Sequence, residues 1–107
     1  MKICAILATN EHETAWNAFR FGVTALGSGH SVKVFLTGRG VEVQDIKDEK
    51  FNVVEQIEKF TSAGGLMLAC GTCLKSRNKD GTETCPLSTM KDMLKLVEES
   101  DKLLTFG

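Results

Sequence analysis

The sequence lacks most of the features that mark a protein's class. No apolar run approaches the roughly 20 residues that a membrane-spanning helix needs. There is no basic field: 13 Lys and Arg stand against 14 Asp and Glu, for a net charge of −1. A general nucleic-acid binder carries the opposite balance. No Gly-x-Gly-x-x-Gly follows the first apolar stretch, so a dinucleotide site has no support. A P-loop and a Gly-x-Ser-x-Gly nucleophile elbow are missing as well. Proline occurs once, at Pro86, and there is no repeat, linker or low-complexity tract. At 107 residues the chain suits one domain spanning 1–107, with a core of modest margin.

What is present reads as alternating strands and helices. Residues 2–8 form a short apolar run. Thr9-Asn10-Glu11-His12-Glu13 follows at once and no basic region precedes it. The run is therefore expected to be a first strand rather than a signal core, and the protein is expected to be cytoplasmic. Asn10 to Glu13 supply capping and acidic first-turn residues for a helix. Its stripe is Trp16, Phe19, Val23 and Leu26, and Gly27-Ser28-Gly29 ends it. Ser31–Leu36 predicts a second strand, broken by Thr37-Gly38-Arg39-Gly40, which reads as a plain turn rather than a phosphate cradle. Residues 41–50 look like polar surface loop. Val53, Ile57 and Phe60 mark a second helix, ended by Gly64-Gly65, and Leu66–Cys70 predicts a third buried strand. Gly71 to Leu87 is expected to be mostly loop, with a helical turn or two at its start, mobile and lying over Cys70. Ser88 is expected to cap a third helix whose face is Met90, Met93, Leu94 and Val97. Lys102–Phe106 closes the chain as a strand. Trp16, Met90 and Met93 are expected in the core, and His30 on the surface. This order predicts an α/β fold, an open parallel sheet with helices on both faces.

The chemistry centres on Cys70-Gly71-Thr72-Cys73. In open parallel sheets, sites lie beyond the carboxyl ends of the strands, and Cys70 is expected there. Backbone N–H groups of a helical start at Gly71 and Thr72, with Lys75 and Arg77 nearby, favour an anion. They predict a lowered pKa and a nucleophilic thiolate at Cys70, with Cys73 as its resolving partner. Cys4 reads as core. Cys85 is a possible third thiol: a resolving residue, a metal ligand, or neither. A structural zinc on Cys70, Cys73 and Cys85 needs a fourth ligand, for which His12 is the candidate. In that case the protein is a non-catalytic oligomeric module. No cofactor is implied. Phe21, Leu87 and Leu96 fall outside the apolar stripes and are expected on the surface, as part of a self-association face.

Several segments carry a family resemblance that spans nearly the whole chain. They are Thr9-Asn10 with Glu13 to Ala18, Val34 to Gly38 with Gly40-Val41-Glu42, Leu68 to Lys75, Ser88-Thr89-Met90, and Asp101 to Phe106. The chain resembles the DsrE/DsrF-like family, which includes the DsrE/TusD-type sulfur-relay proteins. The resemblance implies a flavodoxin-like sheet, a trimeric or hexameric homo-oligomer, and protein partners that donate and accept sulfur. It also implies a persulfide on Cys70, with Arg77 at a matching basic position. A flavodoxin-like strand order, 2-1-3-4, would bring Asn10, Glu11 and His12 close to Cys70. The expected function is a cysteine-based sulfur carrier. The alternatives are a thiol–disulfide protein using Cys70 and Cys73, or the zinc module.

Overall fold

The computed structural model describes all 107 residues. Strands β1 (Lys2–Leu7), β2 (Ser31–Leu36), β3 (Leu66–Cys70), β4 (Leu87–Ser88) and β5 (Lys102–Phe106) alternate with helices. The helices are α1 (His12–Gly27), α2 (Val53–Ser62), α3 (Gly71–Lys75) and α4 (Met90–Glu99), and a 3-10 helix spans Gly38–Asp45. The two-residue strand β4 and the 3-10 helix lie outside what the sequence predicts. The segment 41–50, polar loop by its composition, in fact buries Val41, Val43 and Ile46.

The sheet is parallel throughout, in the order β4-β3-β2-β1-β5. This corrects the expected order 2-1-3-4: β3 pairs with β2, not with β1. The reason lies in how α1 and α2 pack. Phe19 of α1 meets Phe60 of α2 edge-on, with ring centroids 5.5 Å apart. Gly22 of α1 gives the Phe60 ring its room, since a Cβ there would lie 2.8 Å from it. The two helices therefore share one face. Successive crossovers of one hand on one face carry the chain steadily outward, so β3 lands beyond β2.

Period-2 alternation divides the core. Ile3, Ala5, Leu7, Val32, Val34, Leu36, Met67 and Ala69 face α1 and α2 in a cluster of 19 buried residues. On the other face Cys4, Phe35, Cys70 and Leu96 form a cluster of only four under α4. Helix α4 also departs from expectation. Its N-cap is Thr89, not Ser88, in a capping box with Asp92. It buries Leu96 (7% exposed), while Met90 and Leu94 stand 59% and 58% exposed. The helix is rotated relative to its expected stripe: Leu96 points inward and Met90 outward. Phe21 and Leu87 are exposed as expected. Trp16 is half-buried rather than core, edge-on to Phe51 at 5.4 Å with Arg20 over its ring. His30 is half-buried, its Nδ1 2.9 Å from the terminal amine of Met1.

Candidate functional site

The carboxyl end of β3 runs directly into α3, so Cys70 is at once the last strand residue and the cap of the helix. Its side chain belongs to the small cluster beneath α4 and is 4% exposed. Cys73 lies three residues on and is only half-buried. It packs against both core clusters.

The hydrogen-bond donors converge on Cys73. The Gly38 N–H donates to its Sγ at 3.2 Å, and the Thr37 hydroxyl lies at 3.9 Å. Burial works against ionising this thiol. Hydrogen bonds from Cys70, Gly38 and Thr37, together with the Arg77 charge, outweigh it and hold Cys73 below its ordinary value. The sequence predicts the anion-stabilising surroundings at Cys70, provided by the start of α3. Instead the stabilising groups come from the turn after β2, which from its residues alone looks like a plain turn.

Arg77 is clamped from three directions. Its Nε donates to Glu42 Oε2 at 2.6 Å, and one terminal nitrogen donates to the Cys73 carbonyl at 3.1 Å and to Ser76 Oγ at 3.3 Å. Asn10 Nδ2 donates to the other Glu42 oxygen at 3.2 Å. The bonds from Arg77 and Asn10 hold the Glu42 carboxyl below its usual range. Asn10 thus joins the site through Glu42 and Arg77, despite the revised strand order. Glu11 caps α1 instead, accepting from Glu13 N and Thr14 N. His12 pairs with Asp48 at 2.7 Å. Lys79 and Asp45 form a further ion pair between the 3-10 helix and the turn after α3. Among the other expected anion-stabilising residues, Thr72 and Lys75 are exposed. Gly71 is buried, and a Cβ there would meet Leu87 Cδ2 at 2.5 Å, so the glycine lets α3 pack against β4.

Cys85 lies elsewhere. It is 1% exposed within the large cluster, and burial pushes its thiol up to about 11. No three His, Cys, Asp or Glu side chains come together as metal ligands. The zinc arrangement therefore does not form: His12 is held by Asp48, and Cys85 and Cys70 lie in separate clusters. The 71–87 segment is tied down where Ala69 N donates to Pro86 O at 3.1 Å and Thr82 N to Cys85 O at 2.9 Å. Thr37, Gly38 and Glu42 are site residues that the sequence marks only as part of the family resemblance and gives no role in the site. The available signal is the Thr37-Gly38-Arg39-Gly40 turn, since a turn of successive backbone N–H groups can form an anion-binding concavity.

Three comparisons bear on this arrangement. The model of the DsrE/DsrF-like family matches residues 1–106. An uncharacterised protein of Methanopyrus kandleri is 38% identical over 100 residues, covering 88% of this chain and 83% of that protein. One from Methanocaldococcus jannaschii is 36% identical, covering 88% of each. A solved structure of a conserved protein of unknown function from Bacteroides thetaiotaomicron superposes with a TM-score of 0.78 at 15% identity. The match covers 97% of this chain and 93% of that one, and it shows a shared fold.

Proposed function

The chain belongs to the DsrE/DsrF-like family, and from that premise we propose that it is a cysteine-based sulfur carrier whose persulfide is held by the Cys70–Cys73 pair. Family membership supports a role of the sulfur-relay type. The observation that carries the finer reading is the half-buried Cys73 Sγ, with an N–H donor at 3.2 Å and a lowered pKa. A thiol of ordinary acidity is only a few per cent ionised at neutral pH, and the thiolate is the nucleophile.

In the loading step the Cys73 thiolate attacks the outer sulfur of a donor persulfide, R–S–SH. The donor S–S bond breaks, R–S⁻ leaves, and Cys73–S–SH forms with no net oxidation. An acceptor thiolate takes the outer sulfur by the same exchange, and Cys73 leaves as thiolate. Cys70, whose cluster Cys73 packs against, supplies a second exit. Its thiolate attacks Cys73 Sγ, HS⁻ departs, and a Cys70–Cys73 disulfide remains. The partners in this reading are donor and acceptor proteins in the cytoplasm. The carrier itself is a homo-oligomer, a trimer or hexamer, and light scattering returning a monomer at micromolar concentration would remove that part.

Intact mass spectrometry after incubation with a small persulfide donor tests the reading. Wild type is expected to gain sulfur. Cys73→Ser is expected to gain none, and Cys70→Ser to load and hold its sulfur longer. Loading lost only in Cys70→Ser would move the persulfide to Cys70. No loading in wild type, with disulfide cycling that needs both thiols equally, would establish the thiol–disulfide reading instead.

A further inference from the structure

We propose that the turn after β2 is a catalytic element of this site: the Gly38 N–H and the Thr37 hydroxyl hold the Cys73 sulfur as an anion, both when it attacks and when it leaves. The inference rests on the sulfur-carrier reading for its purpose, but not for its geometry.

The turn is built by two constraints. Gly40 lies so close to β1 that a Cβ would stand 2.0 Å from the Leu7 carbonyl oxygen. The chain is fastened there by Thr37 N donating to Leu7 O at 3.1 Å and Gly40 N to Thr37 O at 2.9 Å. Gly38 sits at φ +53, in the left-handed region, and a Cβ added to it would meet nothing closer than the Ala8 carbonyl oxygen at 3.9 Å. Conformation rather than space therefore asks for glycine there. Gly38 also opens the 3-10 helix, and the first N–H groups of any helix have no partner within it. The Gly38 N–H finds its partner in Cys73 Sγ at 3.2 Å.

The same donors then serve both half-reactions. A fixed N–H aimed at developing charge needs no reorganisation as the charge appears. In loading, it stabilises the attacking thiolate. In delivery, the bond between the outer sulfur and Cys73 Sγ breaks, the electron pair returns to Cys73 Sγ, and the departing thiolate lies against the same N–H. Cys70 does not duplicate this role, because its side chain sits inside the cluster beneath α4.

The test needs no sulfur donor, so it succeeds or fails separately from the carrier reading. In ¹⁵N-labelled wild type, the Gly38 amide proton is expected to shift as Cys73 titrates. Its midpoint should match the pH profile for alkylation of Cys73 by iodoacetamide, and the shift should vanish in Cys73→Ser. Thr37→Val is expected to slow that alkylation about threefold at neutral pH, leaving the rate unchanged once the thiol is fully ionised, and Thr37→Ser to restore it. A Gly38 amide that does not follow Cys73 would overturn the assignment to Gly38. A Thr37→Val protein with an unaltered pH profile would overturn the part given to Thr37. Should Thr37→Val fail to fold, the wild-type titration still decides the case for Gly38. If Gly38 titrates as expected but wild type never loads sulfur, the turn stands and the carrier reading falls.

Discussion

The corner at Cys73 and the interior at Cys85 place the same side chain in two opposite settings. Burial acts against ionisation in both. Around Cys85 it acts alone, and the thiol is pushed up to about 11. Around Cys73 it is outweighed by hydrogen bonds from Cys70, Gly38 and Thr37 and by the Arg77 charge. The lesson is that exposure does not make a thiol reactive by itself. What matters is whether the chain brings donors to the sulfur, and here the Gly38 donor comes from 35 residues away in sequence.

Differential alkylation puts the largest effect at risk. A thiol titrating at about 11 is ionised to roughly one part in ten thousand at neutral pH. Peptide mapping of an iodoacetamide time course should show Cys73, held below its ordinary value, modified at least about a hundredfold faster than Cys85. Comparable rates would erase the contrast between the two regions.

Serine substitution sharpens the comparison through stability. Cys85→Ser places a hydroxyl in an apolar cluster and is expected to cost about 1–3 kcal/mol in urea unfolding. Cys73→Ser leaves the Gly38 N–H an oxygen to bond and should cost less than about 1 kcal/mol. A reversed order would mean that the burial contrast has been misread.

The pH dependence of stability should carry opposite signs at the two thiols. The folded pKa of Cys85 is raised, so the folded state holds its proton where the unfolded chain releases it. Stability is full below about 9 and falls as pH rises toward about 11, by about 3 kcal/mol. Cys73 is lowered in the fold, so its contribution is present above the unfolded value and fades as pH falls through the folded one. Urea midpoints across alkaline pH, compared between wild type and Cys85→Ala, isolate the first slope. An unchanged slope in the variant would break the assignment.

The smallest expected effect belongs to Arg77. Its charge is the least of the forces that acidify Cys73, and Glu42 partly neutralises it. Arg77→Gln should slow Cys73 alkylation by only about twofold. A tenfold loss would shift the weight from the turn after β2 to the guanidinium.

Much of the fold is legible because short-range patterns specify it. Strands at 31–36, 66–70 and 102–106 and the helix beginning at Val53 follow from apolar runs and their glycine stops. The 3-10 helix is not legible. Glu42, Gln44 and Asp45 make its segment look like loop, although Val41, Val43 and Ile46 are buried. Helix α4 is placed well but rotated wrongly, because Met90 and Leu94 are as apolar as Leu96 and only the sheet beneath chooses among them. In the site, Cys70 and Cys73 stand out through their spacing, as does Arg77 through the family motif. Gly38 and Glu42 lie in segments that carry the family resemblance, but nothing local to them signals contact with a thiol or with Arg77.

The sequence by itself determined the α/β alternation, the parallel sheet, the family, and the presence of a cysteine pair where a strand runs into a helix. Period and punctuation act over a few residues, so they can be read directly. Only the tertiary structure decided the strand order, since that depends on Phe60 of α2 finding room beside Gly22 of α1. It also decided which thiol the donors reach. A pKa is set by groups within hydrogen-bonding distance in space, and Gly38 comes within 3.2 Å of Cys73 only once β2 and β3 have paired.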